Sequence, residues 1–100
     1  MRGMSDEANR FRAMWQDEID SAAQYRAMAD GEKDESVARV YRELAAMEEK
    51  HAAFWAGELE KRGAKPGAPR PGWRARVLAF IARRFGARAV LPTVATSGAV

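Results

Sequence analysis

Apolar residues recur at intervals of three and four over two long stretches, and this spacing constrains the fold more than any other feature. One stripe runs Phe11, Met14/Trp15, Glu18, Ala22, Tyr25, Met28/Ala29; the other runs Val37, Tyr41, Leu44, Glu48, His51, Trp55, Leu59. Such steps line one face of an α-helix, and a helix with one apolar face needs a partner to cover it. Ser5 suits an N-cap, with Asp6 and Glu7 in the first turn, opening a helix that runs to about Asp30. Gly31-Glu32-Lys33-Asp34 breaks the pattern, with Gly31 suited to the position just past the helix end. Asp34 caps a second helix to about Arg62, with Lys61 and Arg62 in its last turn and Gly63 stopping it. The fold class expected is all-α, an antiparallel helical hairpin over residues 5–62. A hairpin cannot enclose both of its own faces, so its stripe is expected to bury against a second copy or another neighbour.

Three ionisable groups interrupt the stripes. Glu18 and Glu48 each lie 15 residues from Lys33 in the turn, which puts both at one height, roughly 22 Å from the turn. His51 follows Glu48 by three residues, on the same face. A carboxylate on such a face is costly unless something positive meets it. Glu-x-x-His is a weak motif alone; its place in the stripe and the level of Glu18 strengthen it. For Glu18 the competing reading is a boundary carboxylate paired with Arg26 or Arg42.

Hard oxygen ligands with an imidazole suit Fe(II), Mn(II) or Zn(II). In carboxylate-bridged dinuclear sites of four-helix bundles, two helices give one Glu each and two give Glu-x-x-His. This chain holds half of that set, and two copies would hold all of it. Dimerisation and metal loading are therefore expected to be linked. Tyr25 and Tyr41 lie seven residues from Glu18 and Glu48, where each is a core aromatic or a hydrogen-bond partner of the site. Trp15 and Trp55 are read as packing near the site's open side, and Met14, Met28 and Met47 as gap fillers. Asp17, Glu43 and Glu49 read as a solvated face, with iron funnelling as the alternative.

Charge divides the chain. Ten basic residues against fourteen acidic ones leave residues 1–62 at −4, while residues 63–100 carry seven Lys/Arg and no acid, +7. Residues 63–72, with three prolines, form a semi-rigid linker. A basic amphipathic helix is expected within 73–90, its apolar side Trp73, Val77, Phe80/Ile81 and its basic side Arg74, Arg76, Arg83, Arg84. Residues 91–100 read as a flexible or truncated tail. The basic helix is expected on an anionic membrane surface, folded back on the acidic hairpin, or against its counterpart in an oligomer. The pI of 9.7 comes from this one segment, so no nucleic-acid partner is expected. Absent cysteine excludes thiolate chemistry. The longest apolar run, Val77 to Ala82, is far shorter than the roughly 20 residues of a membrane span. A cytoplasmic location, including the inner face of a membrane or the inside of a protein compartment, is the expectation.

The stretch Trp15-Gln16-Asp17-Glu18-Ile19-Asp20-Ser21-Ala22-Ala23-Gln24-Tyr25-Arg26, with Tyr41-Arg42-Glu43-Leu44-Ala45-Ala46-Met47-Glu48-Glu49-Lys50-His51-Ala52, resembles the ferritin-like/rubrerythrin family. The likeness covers about residues 8–62 and is closest to half-size modules. These are the encapsulated ferritins and the domains fused in front of vacuolar-iron-transporter-type membrane domains. Trp73 to Gly86, followed by Val90-Leu91-Pro92, is similar to the connector preceding that transporter domain. The resemblance implies a homodimer or higher even-numbered oligomer built as a four-helix bundle, and a di-iron site that oxidises Fe(II) with dioxygen. It implies Glu48 bridging two irons and Glu18 and His51 as terminal ligands, with manganese or zinc as substitutes. Iron storage, detoxification or export follows as the service, with an encapsulating shell or a membrane iron transporter as partner. The alternative is a non-catalytic iron or manganese sensor or loading domain. Full-length ferritins carry both ligand sets in one chain, and this chain carries one.

Overall fold

The computed structural model describes residues 2–91, with side chains from Asp6 onward. It is all-helical: α1 (Arg2–Asp30), α2 (Glu35–Lys61) and α3 (Trp73–Phe85), then a 3-10 turn at Ala87–Ala89. The tail expected at 91–100 falls, from Pro92 on, outside the described residues. α1 starts three residues before Ser5, so Ser5 lies inside the helix and does not mark its start. Extending a formed helix brings one hydrogen bond per residue fixed, which makes such an added turn inexpensive.

Asp34 caps α2 as expected, accepting from the Ser36 backbone N–H at 3.0 Å and from the Ser36 hydroxyl at 2.7 Å. At the other end Gly63 takes φ +74, and the Ala64 N–H reaches back to the Leu59 carbonyl at 3.0 Å. That return bond satisfies an end carbonyl and needs a residue at positive φ. Gly31 plays a different part from the one expected. Its φ is not positive; instead a Cβ there would lie 2.3 Å from the Ala82 carbonyl oxygen. Glycine at 31 lets α3 approach the hairpin turn.

On the α2 side the seam with α1 is mostly alanine. Ala38, Ala45, Ala52 and Leu59 recur every seventh position of α2 and are buried, and Ala52 and Leu59 cluster with Trp15 and Ile19 of α1. The seam is offset from the stripe expected for α2, most of whose members sit half-buried beside it. Three apolar residues further round, Val40, Met47 and Phe54, are 51, 52 and 58% exposed. Met14 is exposed as well, so of the three methionines read as gap fillers only Met28 is buried. Across the open end of the hairpin, Arg62 pairs with Glu7 and sits 4.5 Å above the Phe11 ring.

The proline segment is strapped along α1. Arg12 donates to the Pro66 carbonyl at 3.3 Å, Gln16 to the Arg70 carbonyl at 2.8 Å, and the Gly72 N–H donates to Asp20 at 2.8 Å. Arg12, Gln16 and Asp20 stand four residues apart on one side of the helix. This strap delivers α3 onto α1, where Ala75, Ala79 and Ala82 are buried with Ala27 and Met28. Arg83 closes the contact on Asp30 at 3.1 Å. Within the 73–90 segment the helix itself covers Trp73–Phe85, and Gly86 at φ +90 ends it. No helix among the described residues is long and apolar enough to cross a membrane.

Two glycines separate close approach from helix propensity. Gly31→Ala is expected to destabilise the fold by about 1–3 kcal/mol, the usual cost of overpacking. Gly57→Ala, where a Cβ meets nothing within 4 Å in mid-helix, is expected to stabilise it by about 1 kcal/mol. Urea unfolding of both variants measures the two signs; equal effects would contradict this assignment.

Candidate metal centre

The register expected from the turn places Glu18 and Glu48 at one level, and the two helices bring them together with His51. The His51 Nδ1 lies 2.9 Å from Glu18 Oε2 and 3.4 Å from Glu48 Oε1. One ligand atom from each of the three falls within 4.8 Å of the other two, the one such His/Asp/Glu grouping among the described residues. The competing partners of Glu18 are engaged elsewhere: Arg26 bonds Glu49 at 2.9 Å, and Arg42 pairs with Glu35. Glu49 therefore serves a cross-helix ion pair and is not a free surface acid.

Ala45 and Ala52 are buried in the seam, and at its edge stand the two partly exposed carboxylates and the half-exposed imidazole. Burial raises the pKa of Glu48 from its ordinary 4.5; the negative charge of Glu18 raises it further, while His51 opposes both. Two like charges this close disfavour ionisation unless a positive group sits between them. In the metal-free protein the His51 Nδ1 faces both carboxylates.

Tyr25 and Tyr41 pack against the buried Ala27–Met28 cluster, which favours the reading of core aromatics. Burial first, then the charge of Glu48, then Tyr41 raise the Tyr25 pKa, so its ring lies within electrostatic reach of the site. Trp15 is buried in the seam, and Trp55 leans on Phe11 with ring centroids 5.1 Å apart. Val40, Met47 and Phe54, absent from the expected stripe, sit on the side of α2 that carries His51. Their spacing of seven was the available signal, masked by aromatic residues one step away.

A separate groove lies elsewhere. It is an open apolar groove of about 590 Å³ beneath the proline strap, lined by Trp15, Ile19, Ala52 and Pro69 among others, and includes none of the three ligand candidates. No protein-family model matches the chain, and neither the curated proteins nor the solved structures contain a match.

The raised pKa of Glu48 has a stability consequence. Because the folded state binds this proton more tightly than the unfolded chain, stability falls as pH rises from about 4.5 through the raised pKa, and stays lowered at neutral pH. Glu48→Gln in metal-free protein is expected to raise the thermal midpoint at pH 7, with the gain shrinking below pH 4.5. A lower midpoint at pH 7 would contradict the crowding of these carboxylates.

Proposed function

We propose that this chain is one half of a dinuclear iron site, completed by a second copy, at which Fe(II) is bound and oxidised by dioxygen. The observation that carries this reading is the convergence of Glu18, Glu48 and His51 from two helices, beside the exposed Val40–Met47–Phe54 line. Two carboxylate oxygens and an imidazole nitrogen are a donor set for Fe(II), Mn(II) or Zn(II). Three donors from one chain leave a divalent ion incompletely held. The apolar residues alongside supply a reason for a second hairpin to cover the site, and that hairpin would bring the same three donors again.

The charge balance supports the pairing. Four carboxylates gathered from two chains would repel one another, and two divalent ions would offset them. Glu48, whose ionised form burial and the charge of Glu18 disfavour, would gain from a position between two cations. The similarity of the two helical motifs to the ferritin-like/rubrerythrin family supports the same four-helix assembly. In the reaction proposed, Fe(II) is the substrate: two ions each give up one electron, and dioxygen takes both with two protons to form hydrogen peroxide. The chain's own part is to hold the pair with oxygen donors, which favour the ferric product.

The test is aerobic Fe(II) oxidation followed by oxygen uptake. Loss of groups that merely orient metal ligands already costs about 10–100-fold in affinity or activity. Glu48→Ala and His51→Ala are expected to lose no less than that, while Glu60→Ala, exposed in the last turn of α2 and far from the site, should leave the rate unchanged. Variants that oxidise iron like the parent would remove these residues from the site. Stoichiometric Fe(II) binding without oxygen uptake would identify the sensor or loading domain instead.

A further inference from the structure

The third helix carries two opposed faces, and only one is used. Ala75, Ala79 and Ala82 are buried against α1, whereas Trp73, Val77 and Phe80 are 64, 50 and 64% exposed. The expected apolar side of this helix is therefore its outer side. Alanine forms the contact because the Ala82 carbonyl must pass Gly31 closely, which a bulky side chain would prevent. The result is an apolar ridge pointing away from the body of the protein.

The charges that the helix itself carries are of one sign. Arg76 and Arg84 lie on the exposed side with Trp73, Val77 and Phe80, and Arg74 stacks 5.3 Å over the Trp73 ring. Among the described residues Arg74, Arg76, Arg84 and Arg88 form no ion pair, and residues 63–91 contain no acid. Arg83, by contrast, is tied to Asp30 on the α1 side.

We propose that the outer face of α3 docks on an anionic lipid bilayer surface. A bilayer interface offers an apolar layer beneath a negatively charged one, the complement of an aromatic ridge flanked by arginines. The long arginine stems allow the heads to stay at the charged level while Trp73 and Phe80 enter below it. A nucleic acid would match the arginines but leave the central ridge facing phosphate. A second copy related by a two-fold axis would oppose arginine to arginine. Contact with a surface requires no unpacking, because the helix meets α1 through its other side. The Glu18–Glu48–His51 cluster lies on the hairpin, away from this ridge, so the proposal stands independently of any metal chemistry.

The test is flotation of the metal-free chain with phosphatidylcholine vesicles prepared with and without phosphatidylglycerol. Binding is expected only with phosphatidylglycerol and is expected to weaken as salt rises. Arg76→Ala with Arg84→Ala should weaken it by about thirtyfold, taking each arginine's usual contribution at a charged membrane surface. Trp73→Ala with Phe80→Ala should abolish it while helix content by circular dichroism stays unchanged. No flotation with anionic vesicles, or flotation indifferent to both pairs of substitutions, overturns the proposal. A solution mass that falls to monomer on Trp73→Ala with Phe80→Ala would assign the ridge to a protein interface and overturn it equally.

Discussion

Two carboxylates held across a helix seam with one imidazole between them are the constraint around which the hairpin is organised. Glu18 and Glu48 meet because each stands fifteen residues from the middle of a four-residue turn, and because alanine at 38, 45 and 52 lets the helices close. Larger side chains in that seam would separate the carboxylates and relax their repulsion. Burial first, and then the charge of Glu18, disfavour the ionised form of Glu48 in the metal-free chain. Nearby cations do not relieve it: Arg26 and Arg42 are each committed to another carboxylate. Two crowded acids with no arginine between them are what a bound cation would relieve, in keeping with the half-site proposed above.

The same economy of small residues governs the rest of the molecule. Alanine predominates on the α2 and α3 sides of their contacts with α1, so large apolar side chains of those two helices are left on two outer surfaces. One surface, Val40, Met47 and Phe54, has Glu43 and Lys50 between its members, charges of both signs. The other, Trp73, Val77 and Phe80, runs among arginines alone. Their different electrostatics suit different partners. The strap from Ala64 to Gly72 holds the two surfaces in fixed relation by tying the linker to Arg12, Gln16 and Asp20.

Much of this was legible in the residues. The turn at 31–34, the Asp34 cap, the Gly63 stop and the common height of Glu18, Glu48 and His51 follow from spacing and capping chemistry alone. The faces were harder. Large apolar residues are ordinarily read as buried, yet here alanine occupies the seams, and alanine carries too weak a hydrophobic signal to mark a contact. This shifted the seam of α2 away from Tyr41, Leu44 and Trp55, and turned the aromatic side of α3 outward. Gly31 read as a helix terminator, although its role is to admit a carbonyl from a helix fifty residues away, a tertiary demand that no local pattern encodes. The strap was likewise invisible, because side-chain bonds to the carbonyls of Pro66 and Arg70 leave no compositional trace.

Cation binding and pairing of two chains should be one event if Glu18, Glu48 and His51 form half a site. The direct measurement is the solution mass of dilute, chelator-treated protein by sedimentation, taken anaerobically before and after one equivalent of Fe(II) per chain. A mass that doubles on addition, in the parent but not in Glu48→Ala, is the expected result. A mass that is unchanged by iron, or that doubles equally in the variant, would contradict the central claim.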